Sequence, residues 1–245
     1  MIRPPTSTRT SPRRCHIPTL PPRVLLAITL LAGLTVARTE EKHGKFLIPD
    51  GTLSPDGRYG VTVPIFDSDA PNNLPEPKNA LVAMDTRRTV ATIDATPGYD
   101  RSLNHRSEPF ATWSRDSSLL LWKVDGKWFP EALVLLKLEN DQVSWQRDLM
   151  KLSQDAILSR TRTAAPKKYA IARKANKGNG SAYPQGFTVD VQALNPVSLP
   201  LHLRVTLTSN PKAIEDFPNL DSHLDAIIDK QGKYIVKDFQ LGPAP

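Results

Sequence analysis

Fourteen consecutive uncharged residues, Val24–Ala37 (VLLAITLLAGLTVA), do most to limit what this chain can fold into. Arg3, Arg9, Arg13, Arg14 and Arg23 precede the run with no acid among them, and Thr35-Val36-Ala37 closes it on a small residue. Basic leader, apolar run and small-residue end are the three parts of a secretory signal. A membrane-spanning helix needs about 20 apolar residues, and Arg23 behind and Arg38 ahead cut this run short. The expectation is cleavage after Ala37, a secreted or periplasmic product and no transmembrane anchor afterwards. Arg13-Arg14 is followed by Cys15-His16-Ile17-Pro18, which suits ordinary secretion better than a twin-arginine route. Residues 1–37 therefore drop out of the fold as a signal peptide.

Removing them changes the charge. The whole chain carries +7, from 32 basic and 25 acidic residues. The 32 basic residues less the five of the leader leave 27 against 25 acids, a net of +2. That is an ordinary solubilising surface and no signature of nucleic-acid binding. The single cysteine, Cys15, leaves with the leader. A disulfide, a thiolate nucleophile and a cysteine-ligated metal are thereby excluded from the remainder. An exported chain without cysteine fits a bacterial envelope better than a eukaryotic secretory route. On that view Asn179-Gly180-Ser181, which matches a glycosylation acceptor, is a coincidence.

From Phe46 to Gln146 the pattern is β. Leu53-Ser54-Pro55-Asp56-Gly57-Arg58-Tyr59 places a turn before Tyr59–Val63, where alternation begins. Strands are expected at Ala80–Met84, Arg88–Ile93, Phe110–Trp113, Leu119–Val124, Ala132–Leu138 and Val143–Trp145. Turns fall at Asp85-Thr86-Arg87, Asp116-Ser117-Ser118 and Asn140-Asp141, with proline-rich or polar loops at Asp67–Lys78 and Thr96–Glu108. The stretch Leu53–Tyr59 resembles the turn repeat of TolB-type and related β-propeller blades. Trp113-Ser114-Arg115-Asp116-Ser117-Ser118-Leu119 resembles a degenerate second copy 60 residues on, without the proline and glycine. The resemblance implies two blade-like antiparallel meanders and a scaffolding or partner-binding habit. Two copies do not close a propeller, which takes at least about four blades.

Residues 146–161 change period. Leu149, Leu152, Ala156 and Ile157 recur at helical spacing, and Pro166 ends the helix. Strands are expected again at Tyr169–Ala175, Phe187–Leu194, Leu201–Thr208, Ala226–Asp229 and Tyr234–Leu241, with a hairpin turn at Asp229–Lys233. The resulting expectation is mainly β: a blade-like domain at 38–146, one connecting helix, and an α+β domain at 147–245 with a small antiparallel sheet.

The chemistry is sparse. No recognised catalytic motif is present: there is no G-x-S-x-G elbow, and no histidine falls in zinc-ligand spacing. No cofactor is implied. Asp67-Ser68-Asp69 with Asn72 and Asn73 lacks the glycine and glutamate of a calcium loop. Trp113, Trp122, Trp128 and Trp145 suit a carbohydrate-stacking surface or, more often, a core. Asp94, Asp100 and Glu108 would serve an envelope hydrolase acting on glycan or peptide, if two carboxyls stood roughly 5–9 Å apart.

The longest acid-free window, Ala156–Val189, holds Arg160, Arg162, Lys167, Lys168, Arg173, Lys174 and Lys177. It reads either as a face for a protein or anionic envelope component or as a solvated charged face. Nucleic acid is the wrong partner for the compartment. The glycine-rich loop 177–186 adds Asn179, Ser181 and Tyr183 as contact residues, because loops on rigid scaffolds carry binding groups. The functional expectation is an exported, non-enzymatic binding or scaffolding protein.

Overall fold

The computed structural model describes residues 41–43, 46–64, 78–93, 108–125, 130–175, 186–194, 196–209 and 220–244. The chain is mainly β, with three antiparallel sheets in sequence order and two helices between the second and third. The first sheet runs β1 (Glu41–His43), β2 (Phe46–Ile48), β3 (Tyr59–Pro64), β4 (Ala80–Ala83), β5 (Thr89–Thr92). The second runs β6 (Glu108–Trp113), β7 (Leu119–Asp125), β8 (Pro130–Glu139), β9 (Gln142–Asp148). After α1 (Leu149–Ala164) and α2 (Pro166–Ala175) come β10 (Phe187–Ala193), β11 (Leu201–Ser209), β12 (Asp221–Ile228) and β13 (Tyr234–Leu241). Each sheet is a meander in which every strand pairs with its sequence neighbour.

Two cores explain the order. Leu120, Trp122, Val124, Ala132, Val134 and Leu136 point from one face of β7 and β8 onto Tyr59, Val61, Val63 and Leu81 of the first sheet and Ile93 just after it. Leu119, Leu121, Leu133 and Leu135 point the other way, into a cluster with α1, α2 and the third sheet. The central sheet is buried on both faces, which is why β7 and β8 read as continuous apolar runs. The second core draws on residues from both sides of position 147.

The two turns read as copies carry the same hydrogen bonds. Ser54 Oγ donates to Asp56 Oδ1 (2.6 Å) and accepts from Tyr59 N (3.0 Å), while Arg58 N donates to Asp56 (3.0 Å). Ser114 Oγ donates to Asp116 Oδ1 (2.6 Å) and accepts from Leu119 N (2.9 Å), while Ser118 N donates to Asp116 (3.1 Å). Downstream, Met84 N bonds Arg58 O and Leu138 N bonds Ser118 O, both at 2.8 Å. The turns also touch: Asp56 N donates to Ser117 Oγ at 3.3 Å.

Asp148 caps α1 by accepting from Lys151 N at 2.9 Å. The helix buries Leu149, Met150, Ser153, Ile157, Leu158 and Thr161. Its two buried hydroxyls tie it to the third sheet: Thr161 to Ser222 Oγ at 2.6 Å, and Ser153 to Tyr234 OH at 3.2 Å. Arg147 adds a bond to Gly232 O at 2.7 Å. Gly232 has φ +75°, and a Cβ there would stand 2.8 Å from the Trp145 ring, so only glycine lets the β12–β13 turn sit against β9.

One expectation is corrected. Residues Tyr169–Ala175 form the helix α2 and not a strand, so two helices rather than one connect the sheets. Pro166 ends α1, and it also starts α2 at a first-turn position that needs no N–H donor. Tyr169 and Ala172, three residues apart, share the buried face. The leader 1–37, with Val24–Ala37, lies outside the described residues, as do the Asp67–Asn73 loop, Asp94, Asp100, Trp128, Lys177, Asn179, Ser181 and Tyr183. Among the described residues no helix is long and apolar enough to cross a membrane.

Candidate anion-binding surface

The α1–α2 junction begins with a backbone constraint. Residues before proline avoid helical geometry, and Ala165 sits at φ −138°, ψ 59°. Its N–H still bonds Thr161 O, and its carbonyl accepts from Tyr169 N, both at 2.9 Å. The second helix is held down by Tyr169, whose ring lies 4.8 Å from that of Phe187, and by Ala172. Burial raises the Tyr169 hydroxyl's pKa, while Arg173 and Arg162 nearby pull it the other way.

Except for Ala175, which is half-buried, the other residues of this helix are exposed. Lys167, Lys168, Arg173 and Lys174 are all exposed, as are Arg160 and Arg162 on the last turns of α1. No acid lies between Ala156 and Val189. None of these six cations forms an ion pair among the described residues, whereas Lys151 and Asp155, just before the acid-free window, do pair. Arg162, Arg173 and Lys174 occupy last turns, where cations complement the helix dipole. Lys167 and Lys168 occupy the first turn of α2, where no acid accompanies them. There they oppose the dipole, so helix stability does not account for them.

These two lysines line a recess of about 590 Å³ together with Ala164, Ala165, Pro166, Leu220, Asp221, Leu241, Gly242 and Pro243. The recess joins the helix junction to the ends of β12 and β13. Of the residues picked from sequence, Lys167, Lys168, Arg173 and Lys174 thus come together on one short helix. Sequence reading missed the apolar part of this surface. The sequence pattern puts Ile171 on a strand, and Leu241 lies 70 positions further along the chain.

The other candidates separate. Trp122 is fully buried. Trp113 stacks with Tyr59 at 6.2 Å and donates to Thr52 O, and Trp145 lies under the Arg147 guanidinium. Three tryptophans in three environments make no common stacking platform. A second recess of about 1010 Å³ runs past Trp113, Arg115 and Lys137 to Val197, Leu199 and Lys230. His202 is exposed on β11, and His223 is buried with Nδ1 3.3 Å from Gly242 O. Among the described residues no group of His, Cys, Asp and Glu is arranged to hold a metal ion.

No family model matches this chain, and neither the curated proteins nor the solved structures yielded a match.

Proposed function

We propose that the chain is an exported, non-enzymatic binding or scaffolding protein of the bacterial cell envelope, and that it holds an anionic partner on the basic face of α1 and α2. One observation carries the reading: Lys167 and Lys168 stand unpaired in a first helical turn, where the dipole opposes them. The signal-like leader supports export. The repeated serine–aspartate turns support the blade-like scaffold on which the face is mounted.

The test is binding of the full chain to immobilised heparin, a soluble polyanion used as a probe. Retention should fall steeply with salt, because exposed charges are screened beyond about 8 Å at physiological ionic strength. Lys167→Gln, Lys168→Gln, Arg173→Gln and Lys174→Gln together should bring elution to clearly lower salt, the five leader arginines holding what retention is left. Each exposed substitution should shift stability by no more than about 0.5 kcal/mol. Equal elution of wild type and quadruple variant would defeat the reading.

A further inference from the structure

The described residues hold three exposed large hydrophobic side chains: Ile171 (50%), Leu194 (49%) and Leu241 (47%). Single exposed apolar residues are ordinary. The placement of two of these is not. Ile171 stands four residues after Lys167, three after Lys168 and three before Lys174, so on the helix it sits among the cations. Leu241 lines the recess that Lys167 and Lys168 also line. The remaining wall is mostly apolar, with Ala164, Ala165, Pro166, Leu220 and Pro243, and carries one carboxylate, Asp221. This surface therefore offers ammonium groups beside mostly apolar residues, with the Asp221 carboxylate as its one acid.

A soluble polyanion has nothing to place against Ile171 and Leu241. An acidic lipid surface has both parts, phosphate at the headgroup level and hydrocarbon just beneath it. Lysine suits that boundary, since its methylene stem lies along apolar material while the ammonium reaches the polar side. Interfacial binding of a protein face depends on buried apolar area plus attraction to anionic lipid. From these placements we infer that the anionic partner is a lipid bilayer bearing acidic headgroups, docked on α2 and the recess beside it. Lys167, Lys168, Arg173 and Lys174 meet the headgroups, and Ile171 and Leu241 enter the interface. The inference rests on the proposed anion-binding reading and narrows it to one partner.

The experiment uses the full chain and two kinds of vesicle, phosphatidylcholine alone and phosphatidylcholine with phosphatidylglycerol, with heparin as the soluble probe. Binding to neutral vesicles reports what the apolar run Val24–Ala37 contributes. The part of the phosphatidylglycerol increment that is lost on changing Lys167, Lys168, Arg173 and Lys174 to glutamine reports the basic face, since the five leader arginines supply the rest. Each cation removed should weaken that increment by about fivefold, which corresponds to about 1 kcal/mol per basic residue near an acidic lipid surface. Ile171→Gln with Leu241→Gln should weaken it by about tenfold, given the apolar area at stake. The same pair should leave heparin retention and the circular dichroism spectrum unchanged. Heparin binding without a phosphatidylglycerol increment would overturn the lipid inference and leave the anionic reading intact. An increment untouched by the Ile171 and Leu241 changes would overturn it too. No binding to either probe would overturn both.

Discussion

The turns at Ser54 and Ser114 are built alike but serve differently placed sheets. The first follows the sequence Ser-Pro-Asp-Gly-Arg-Tyr and the second Ser-Arg-Asp-Ser-Ser-Leu. What they share is the serine, the aspartate two residues on, and a third residue with positive φ: Gly57 at 71° and Ser117 at 59°. Those three features suffice for the whole hydrogen-bond set. Proline and glycine are thus one way to make this turn rather than its requirement. The sheets that follow differ more. Tyr59, Val61 and Val63 of β3 contribute to a single core, whereas β7 divides Leu119 and Leu121 from Leu120 and Trp122 between two. The same supersecondary unit has become a cover in one copy and a middle layer in the other.

The largest expected effect tests that middle position. Leu120 and Leu121 lie on opposite faces of β7, and both are buried. Alanine at either should cost about 2–5 kcal/mol, the range for removing a buried leucine side chain. Urea unfolding of Leu120→Ala and Leu121→Ala measures it. A large loss at one position and almost none at the other would mean that the central sheet has a wet face, and the comparison would fail.

Much of this organisation was legible because it follows from local chemistry. Serine and aspartate at fixed spacing marked both turns, and alternation marked β10 and β11. The helix α2 was missed because Tyr169, Ile171 and Arg173 alternate as a strand would. Only packing against Phe187 decides that Tyr169 and Ala172 share the inner face. The polar ends of β9 and the start of β12 were also hidden, since Arg147, Asp148, Asp221 and Ser222 carry no apolar signal. At the candidate site, the lysines were visible as a charge run. Their apolar neighbours were not, because Leu241 reaches the recess only through the pairing of β12 with β13.

A second test concerns the aspartates that both turns share. Burial alone would raise the Asp56 carboxyl, but hydrogen bonds from Ser54 and Arg58 and the Arg58 charge outweigh it and hold its pKa at about 2, from an ordinary value of 3.8. Bonds from Ser114 and Ser118 lower Asp116 likewise. A depressed carboxyl takes up its proton less readily in the folded chain than in the unfolded one. Its contribution is therefore complete above about pH 4, the unfolded value, and is lost as pH falls through the folded one. Stability measured by thermal melts should decline below pH 4. The Asp56→Asn, Asp116→Asn double variant should be less stable at neutral pH and show a shallower decline. Equal slopes would remove the two turns from the acid response.

The smallest effect separates the two copies at the residue each holds at positive φ, Gly57 and Ser117. Ser117 is buried, and holding a non-glycine residue at positive φ costs about 1–2 kcal/mol. Its Oγ accepts from Asp56 N, a bond worth about 0.5–1.5 kcal/mol that also links the turns. Ser117→Gly relieves the strain, loses the bond and frees the unfolded chain by a further 0.4–1 kcal/mol or about that. These terms nearly cancel, so the change should be within about 1 kcal/mol of zero. Gly57→Ser meets no atom within 4 Å at its new Cβ, and so carries the strain at φ +71° with no contact to relieve. It gains back only the glycine's unfolded-state freedom and should destabilise by about 1 kcal/mol. Paired urea titrations of the two variants decide the matter. If Ser117→Gly proved the more costly change, the serine would be holding the two meanders together rather than merely filling a glycine's place.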